Sequence, residues 1–169
     1  MTRPERKPNR LAGYDYSQPG AYFVTICTQD RRCVLSHIVG GGAFDAPHVE
    51  LTEYGKIAEK YICSGNRMER LSVDKYVIMP NHIHMILLVS ESQCGTGVAR
   101  TSRAPSPTNQ TVPRFVGAFK RFCHAEMGEK IFQRSFYDHV IRGETDYNEI
   151  WQYIENNPAR WTQDKFYWE

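Results

Sequence analysis

The chain has 169 residues, of which 41% are hydrophobic and 24% charged, and its formal net charge at pH 7 is +2. This composition predicts one globular domain with a buried core and excludes wholesale disorder. No apolar run approaches the roughly 20 residues that span a bilayer, and the first residues lack the apolar core of a signal peptide. The five widely spaced cysteines contain no Cys-x-x-Cys pair, so a reduced, cytoplasmic protein is expected.

The first 20 residues are expected to form a basic arm, and residues 21–169 a single domain. Four basic residues lie within the first ten positions and two tyrosines follow closely, a pattern that is typical of nucleic-acid contacts. The cations are Arg3, Arg6, Lys7 and Arg10, and the tyrosines are Tyr14 and Tyr16. A plain soluble tail is the alternative interpretation.

Hydrophobic periodicity and turn residues predict the elements in chain order. They are a strand at 21–28, a hairpin at 34–39 and 48–51, a helix from Thr52 to Gly65, strands at 71–79 and 82–89, a helix from Pro113 to Gly128, a strand at 136–141 and a last helix capped by Thr145 or Asp146. A flexible loop is expected at 91–112, where Ser, Gly, Thr and Pro dominate. The order predicts an α+β fold of ferredoxin-like type, with an antiparallel sheet backed by helices and an added C-terminal helix.

Two histidines, His82 and His84, begin the most apolar strand. Because side chains alternate along a strand, both should point to one face, about 7 Å apart, which suits two ligands of one cation. Alternatively, the two histidines are only polar residues at the start of an ordinary core strand.

The last helix presents a tyrosine outside its apolar stripe. At 3.6 residues per turn, one stripe faces the core; it contains Tyr147, Ile150, Trp151 and Ile154. Tyr153 lies roughly 110° from the centre of this stripe, and Asn157 lies on the same flank one turn later. The alternative interpretation is that Tyr153 is a half-exposed interface residue and that Asn157 only ends the helix.

Tyrosine is a weak nucleophile near neutral pH because its pKa is about 10, so it needs a cation nearby. A cation that holds a phosphate oxygen also neutralises charge at a phosphoryl centre. The constellation therefore predicts attack of Tyr153 on a phosphodiester.

Two motifs carry a resemblance to a known family: His82-Ile83-His84, and Tyr153-Ile154-x-x-Asn157-Pro158. They resemble those of the HUH single-tyrosine transposases of insertion-sequence type, and among them the REP-associated tyrosine transposases of bacteria. The likeness extends over nearly the whole chain. It includes Gly20-Ala21-Tyr22-Phe23-Val24-Thr25, Met79-Pro80-Asn81, Phe119-Lys120 and Tyr137-Asp138-His139-Val140-Ile141-Arg142.

The resemblance implies an enzyme that cleaves hairpin-bearing single-stranded DNA through a covalent 5′-phosphotyrosine and then rejoins strands. It implies Tyr153 as the nucleophile and His82, His84 and Asn157 as ligands of a divalent cation. No nucleotide cofactor is expected, because the phosphotyrosine conserves the phosphodiester bond. Histidines usually favour zinc, but with so few protein ligands a weakly held magnesium or manganese ion is expected.

DNA contacts are predicted by residue type alone. The candidates for phosphate contacts are Arg6, Lys7, Arg10, Arg31, Arg32, Lys120 and Arg121, and those for base stacking are Tyr14, Tyr16 and Tyr22. Asp138 and His139 could also touch the site. The oligomeric state, monomer or homodimer, stays open.

Three other functions remain as alternatives. A relaxase or replication initiator would use the same chemistry but usually carries a third histidine and a further domain. A catalytically silent module of RRM type would need exposed aromatic residues on its central strands. A small zinc hydrolase would need an activating carboxylate, and none stands at helix spacing.

Overall fold

The structure is a computed structural model that describes residues 14–42, 45–91 and 110–167. Its strands are β1 Gly20–Cys27, β2 Ser36–Val39, β3 His48–Leu51, β4 Leu71–Ile78, β5 His82–Val89 and β6 Tyr137–Ile141, and its helices are α1 Glu53–Ser64, α2 Thr111–Met127 and α3 Glu144–Asn156. Single 3₁₀ turns occupy Gln29–Arg31 and Gly65–Arg67, and a longer one, Pro158–Gln163, follows α3.

Four strands form one sheet in the order β4-β5-β1-β6, with every neighbouring pair antiparallel. With α1 between β1 and β4, and α2 between β5 and β6, this is the ferredoxin-like arrangement that the sequence predicts. The β2–β3 hairpin forms a separate two-stranded sheet rather than an extension of the main one.

One face of the sheet is sealed by α1 and α2. Tyr22, Val24 and Ile26 of β1 have no exposed surface and join Ile83 and Met85 of β5 in the main core. The alternate residues point to the opposite face, where Thr25 pairs with His84 across β1 and β5. Strand alternation therefore assigns one face to the core and leaves the other for the histidines.

The predicted helix boundaries hold for α1 and α2. Thr52 caps α1 by accepting a hydrogen bond from the Gly55 amide at 3.2 Å. Gly128 ends α2 in the left-handed conformation, φ 76°, which glycine adopts without the clash of a Cβ.

The start of α3 differs from the prediction. The N-cap is Gly143, not Thr145 or Asp146. Asp146 instead accepts hydrogen bonds from the Arg142 amide at 2.8 Å and from His139 at 2.9 Å, so its carboxylate ties the helix to β6.

Two predictions fall wholly or mostly outside the described residues. They are the basic segment of the arm, up to Arg10, and the loop at 91–112, of which residues 92–109 are not described. Within the described ranges, no helix is long and apolar enough to cross a bilayer.

Candidate functional site

The two histidines of β5 are fully buried and lie side by side, with ring centroids 4.4 Å apart. Each ring is held through its Nδ1 atom. His84 Nδ1 lies 2.8 Å from Thr25 Oγ1, and His82 Nδ1 lies 2.9 Å from Asn81 Oδ1. Such second hydrogen bonds fix the ring orientation and leave Nε2 available as a ligand.

Asn81 determines the tautomer of His82. Its Nδ2 group donates to the carbonyl oxygens of Phe166 at 2.8 Å and Arg31 at 3.4 Å. The Oδ1 atom must therefore face His82, and it can only accept. His82 consequently carries its proton on Nδ1, which leaves the lone pair on Nε2.

Helix α3 brings Tyr153 next to His84, although the two residues are 69 positions apart in the sequence. The Tyr153 hydroxyl lies 3.2 Å from His84 Nε2, and the two rings are 5.2 Å apart. Tyr153 is 36% exposed and lines a surface cavity, so its side chain is accessible from solvent. One turn later, Asn157 is buried beneath it. The structure thus brings together all four residues that the sequence singles out.

A fifth residue, Asp164, completes the cluster and was not anticipated. The chain turns back after Pro158, and Asp164 Oδ2 accepts hydrogen bonds from the Tyr153 hydroxyl at 3.1 Å and from Asn157 Nδ2 at 3.0 Å. Ligand atoms of Asp164, His82 and His84 all lie within 4.8 Å of one another. Tyr153, Asn157, Asp164 and Lys165 line an adjoining cavity of about 230 Å³.

Buried acceptor atoms without hydrogen-bond partners also indicate a cation site here. Because Asn157 Nδ2 donates to Asp164, its Oδ1 atom is the one left for another partner. Neither that oxygen nor His82 Nε2, which are both buried acceptors, has a hydrogen-bond partner within the described part of the chain. Buried acceptors without partners are costly, and a metal ion among His82, His84, Asn157 and Asp164 would satisfy them.

The environment keeps both imidazoles neutral. Burial lowers the pKa of His82 to about 4, although Asp164 and the nearby Asn157 carboxamide oppose the fall. Burial, and then the adjacent His82, hold the pKa of His84 well below its usual range. Neutral imidazole is the form that binds a metal.

Burial and the neighbouring Asp164 raise the pKa of Tyr153 to about 12. At pH 7 only about one tyrosine in 10⁵ would then be ionised. Without a cation, Tyr153 is therefore held as a protonated, unreactive phenol.

Acid should destabilise the metal-free protein through these two histidines. Their folded pKa values lie below the unfolded value, so the unfolded chain binds more protons between about pH 4 and pH 6.5. The free energy of unfolding should fall as pH decreases through this window, by about 3 kcal/mol for His82. Urea unfolding with chelator at about pH 7 and pH 4 measures this. In the His82→Gln variant, the free energy of unfolding should depend less steeply on pH. An unchanged slope would contradict the lowered pKa of His82.

The predicted stacking role is wrong for two of the three tyrosines. Tyr22 has no exposed surface and Tyr16 only 2%, because both pack in the core beneath β1. A side chain enclosed in this way cannot stack on an unpaired base. Tyr14 is half-buried with its ring 5.0 Å from that of Tyr16, and its role in binding stays a prediction.

Lys120 is also misassigned as a phosphate contact. It is 8% exposed, and its Nζ donates to the carbonyl oxygens of Gln133 at 2.8 Å and Ser135 at 2.7 Å. The ammonium group therefore holds the segment before β6. Its charge is used inside the fold rather than on DNA.

The other predicted cations have different surroundings. Arg31 is exposed beside the site, whereas Arg32 forms an ion pair with Glu129 at 3.0 Å. Arg121 is exposed next to Phe122 on α2, which covers the opposite face of the sheet. Arg6, Lys7 and Arg10 lie outside the described residues. For these cations, DNA contact remains a prediction.

Replacing Lys120 with methionine should destabilise the fold. The carbonyls of residues 133–135 would lose a charged donor, so the free energy of unfolding should fall by about 2 kcal/mol. Denaturant unfolding measures the loss. The neighbouring exposed Arg121→Met is the matched control and should change stability little; equal effects of both variants would contradict the buried role.

The stripe of α3 is buried less than predicted. Ile154 alone among its four members is fully buried, and Trp151 is 37% exposed, with Lys75 Nζ 4.1 Å from its ring centroid. Tyr147 instead donates a hydrogen bond to Asp74 of β4. The helix packs mainly over β4 and β5, and one side of the stripe stays exposed to solvent.

Comparison with known proteins agrees with this architecture. An uncharacterised protein of Haemophilus influenzae is 33% identical over 96% of this chain and 93% of its own length. A second protein of that organism, described as a putative REP-associated tyrosine transposase, is 25% identical over 86% of this chain and 74% of its own.

A solved structure of a REP-associated tyrosine transposase bound to a REP hairpin has the same fold. It superposes with a TM-score of 0.59 at 22% identity, covering 95% of this chain and 74% of that one. No protein-family model matches the chain.

The chain therefore has the fold of that transposase. Its similarity to the putative REP-associated tyrosine transposase of Haemophilus influenzae supports a transposase role. The RRM-type alternative loses its support, because α3 covers β4 and β5 on the face where an RRM would expose its aromatic residues.

Proposed function

We propose that the protein is a metal-dependent endonuclease and strand transferase that acts on hairpin-bearing single-stranded DNA. The observation that carries this proposal is the Tyr153 hydroxyl, 3.2 Å from His84 Nε2 and 3.1 Å from Asp164, beside a cluster of buried metal-type ligands. A nucleophile with both a cation site and a carboxylate within reach has what phosphoryl transfer requires.

In the proposed step, the Tyr153 oxygen attacks the phosphorus of a phosphodiester. A tyrosyl–phosphorus bond forms and the bond to the 3′ oxygen breaks, which leaves a 5′-phosphotyrosine and a free 3′-hydroxyl. Asp164 Oδ2 already accepts the hydrogen bond of the phenol and is placed to take its proton. Reversal of the step with another 3′-hydroxyl rejoins strands, so no nucleotide cofactor is needed.

The residues that would hold the cation are His82, His84, Asn157 and Asp164. The bound cation would polarise the scissile phosphate and lower the pKa of the phenol. Two nitrogens with an amide and a carboxylate oxygen suit manganese or magnesium with exchangeable positions, whereas zinc would bind tightly. We favour manganese or magnesium.

A DNA hairpin is the proposed partner. The solved structure of similar fold is bound to a REP hairpin, and this supports a structured single strand as the ligand here. The chain would act on the unpaired segment beside the stem, where a single strand can bring its phosphate to Tyr153.

The function is tested by incubating the protein with hairpin-bearing single-stranded DNA and manganese. A covalent adduct that survives denaturation is expected, in a yield that a chelator abolishes. Fully paired duplex of the same sequence should stay uncut. Cleavage without any adduct would overturn the covalent mechanism, and equal cleavage of the duplex would overturn the single-strand preference.

A further inference from the structure

A second and larger cavity, of about 460 Å³, opens on the histidine-bearing face of the sheet. It lies between the edge strand β6 and the segment after the last 3₁₀ turn. Its lining includes three aromatic rings, Phe23, Tyr137 and Phe166, and two cations, Arg31 and Lys165. A volume of this size is within the range of roughly 300–1,000 Å³ typical of pockets for small organic groups.

The cavity adjoins the candidate catalytic cluster. Lys165 lines both this cavity and the smaller one at Tyr153. Phe23, which lines the larger cavity, also lies close to the cluster, with its ring 5.1 Å from that of His84 and 6.1 Å from that of Tyr153. A strand with its phosphate at Tyr153 would therefore place a neighbouring nucleotide at the cavity.

Among the described residues, the two cations are not neutralised by a carboxylate, although Lys165 Nζ lies 4.9 Å from the centroid of the Phe166 ring. Several other basic side chains, such as Arg32, Lys56, Lys60 and Lys75, form ion pairs, but Arg31 and Lys165 form none within the described part of the chain. Both are exposed, and Arg31 Nη1 reaches the Lys165 carbonyl oxygen at 3.5 Å. Arg31 also has a left-handed backbone, φ 54°, which is strained in a residue with a side chain. Unpaired cations beside an aromatic pocket are typical of single-strand binding.

Tyr137 supplies the stacking surface. It lies on the edge strand opposite Thr25 and is 48% exposed, the most exposed large hydrophobic residue of the described chain. Phe166 lies 6.4 Å from it, centroid to centroid. A flat base could stack on the exposed face of the Tyr137 ring, with Phe166 beside it as a second aromatic wall.

We propose that this cavity binds one unpaired base next to the cleaved phosphodiester, stacked on Tyr137, with Arg31 and Lys165 on the adjoining phosphates. The proposal rests on the proposed single-strand function and adds a base-binding site to it. Tyr137 would be a binding residue rather than a catalytic one, since the attacking oxygen belongs to Tyr153.

The test uses an oligothymidylate of about 12 nucleotides with one central 2-aminopurine, whose fluorescence is quenched by stacking. Binding is measured on the full chain carrying Tyr153→Phe, so that no cleavage interferes. Adding Tyr137→Leu should weaken binding about tenfold and remove the quenching, in line with base–aromatic stacking elsewhere. Phe122→Leu, at an exposed ring on the opposite face, is the matched control and should change neither quantity.

Unchanged affinity and quenching in the Tyr137→Leu variant would overturn the base site. Adduct formation by the chain with Tyr153 intact is scored separately, so failure of this site is distinguishable from failure of the proposed function.

Discussion

Tyr153→Phe should abolish the protein–DNA adduct and reduce strand cleavage by at least about 10⁴-fold. The substitution removes only the oxygen that attacks phosphorus, and no other nucleophile takes its place in the cluster. Denaturing electrophoresis of labelled hairpin DNA measures both quantities. Because the ring is retained, its contacts with Phe23 and His84 should persist.

The matched control is Tyr61→Phe, which removes a hydroxyl from a tyrosine on α1, on the far side of the sheet. That hydroxyl pairs with Glu126 and lies outside the proposed site. The variant should form the adduct at the normal rate. DNA binding by Tyr153→Phe should stay within about threefold of the unmodified chain. Persistence of the adduct in that variant would show that another residue is the nucleophile.

Loss of either buried histidine should weaken manganese binding by about 100-fold or more. His82→Gln and His84→Gln keep a polar side chain of similar size but remove the imidazole nitrogen that the cation would use. Titration of manganese followed by electron paramagnetic resonance measures affinity without reference to catalysis. Thr25→Val, which removes only the hydroxyl beside His84 Nδ1, should cost about 10- to 100-fold.

His48→Gln is the matched control for these substitutions. His48 is exposed in the β2–β3 hairpin and lies in a different sheet from the cluster. Its replacement should leave manganese affinity unchanged. If the two buried-site variants bind manganese as tightly as this control does, the cation site lies elsewhere.

Much of the site was predictable because it follows from local periodicity. Alternation along β5 places His82 and His84 on one face, and helical spacing places Asn157 beneath Tyr153. Both arrangements are present in the structure. The approach of α3 to β5 was not predictable from spacing, since it depends on how the helix packs across the sheet.

Asp164 could not be found by the same means. It lies beyond Pro158, in a segment of 3₁₀ turn and irregular chain with no period to indicate a direction. The proline signals only that the helix ends. The return of the chain toward the histidines depends on tertiary contacts such as the hydrogen bond from Asn81 to the Phe166 carbonyl.

The misassigned DNA contacts did leave a signal in the sequence. Tyr22 alternates with Val24 and Ile26 and so shares their buried face. Lys120 follows Val116 by four residues and precedes Cys123 by three, which places it on the apolar side of α2. Residue type suggested nucleic-acid binding for both, but position determined their burial.

The division of the sheet into two faces has a consequence for how the protein tolerates change. Along β1, Tyr22, Val24 and Ile26 support the core, whereas Phe23 and Thr25 border the histidines. Adjacent positions of β1 therefore support either the fold or the site. In a complete substitution scan of β1, the property that is lost should alternate from one residue to the next. Folded yield should fall at the even-numbered positions, and DNA processing should fall, in chains that still fold, at the odd-numbered ones.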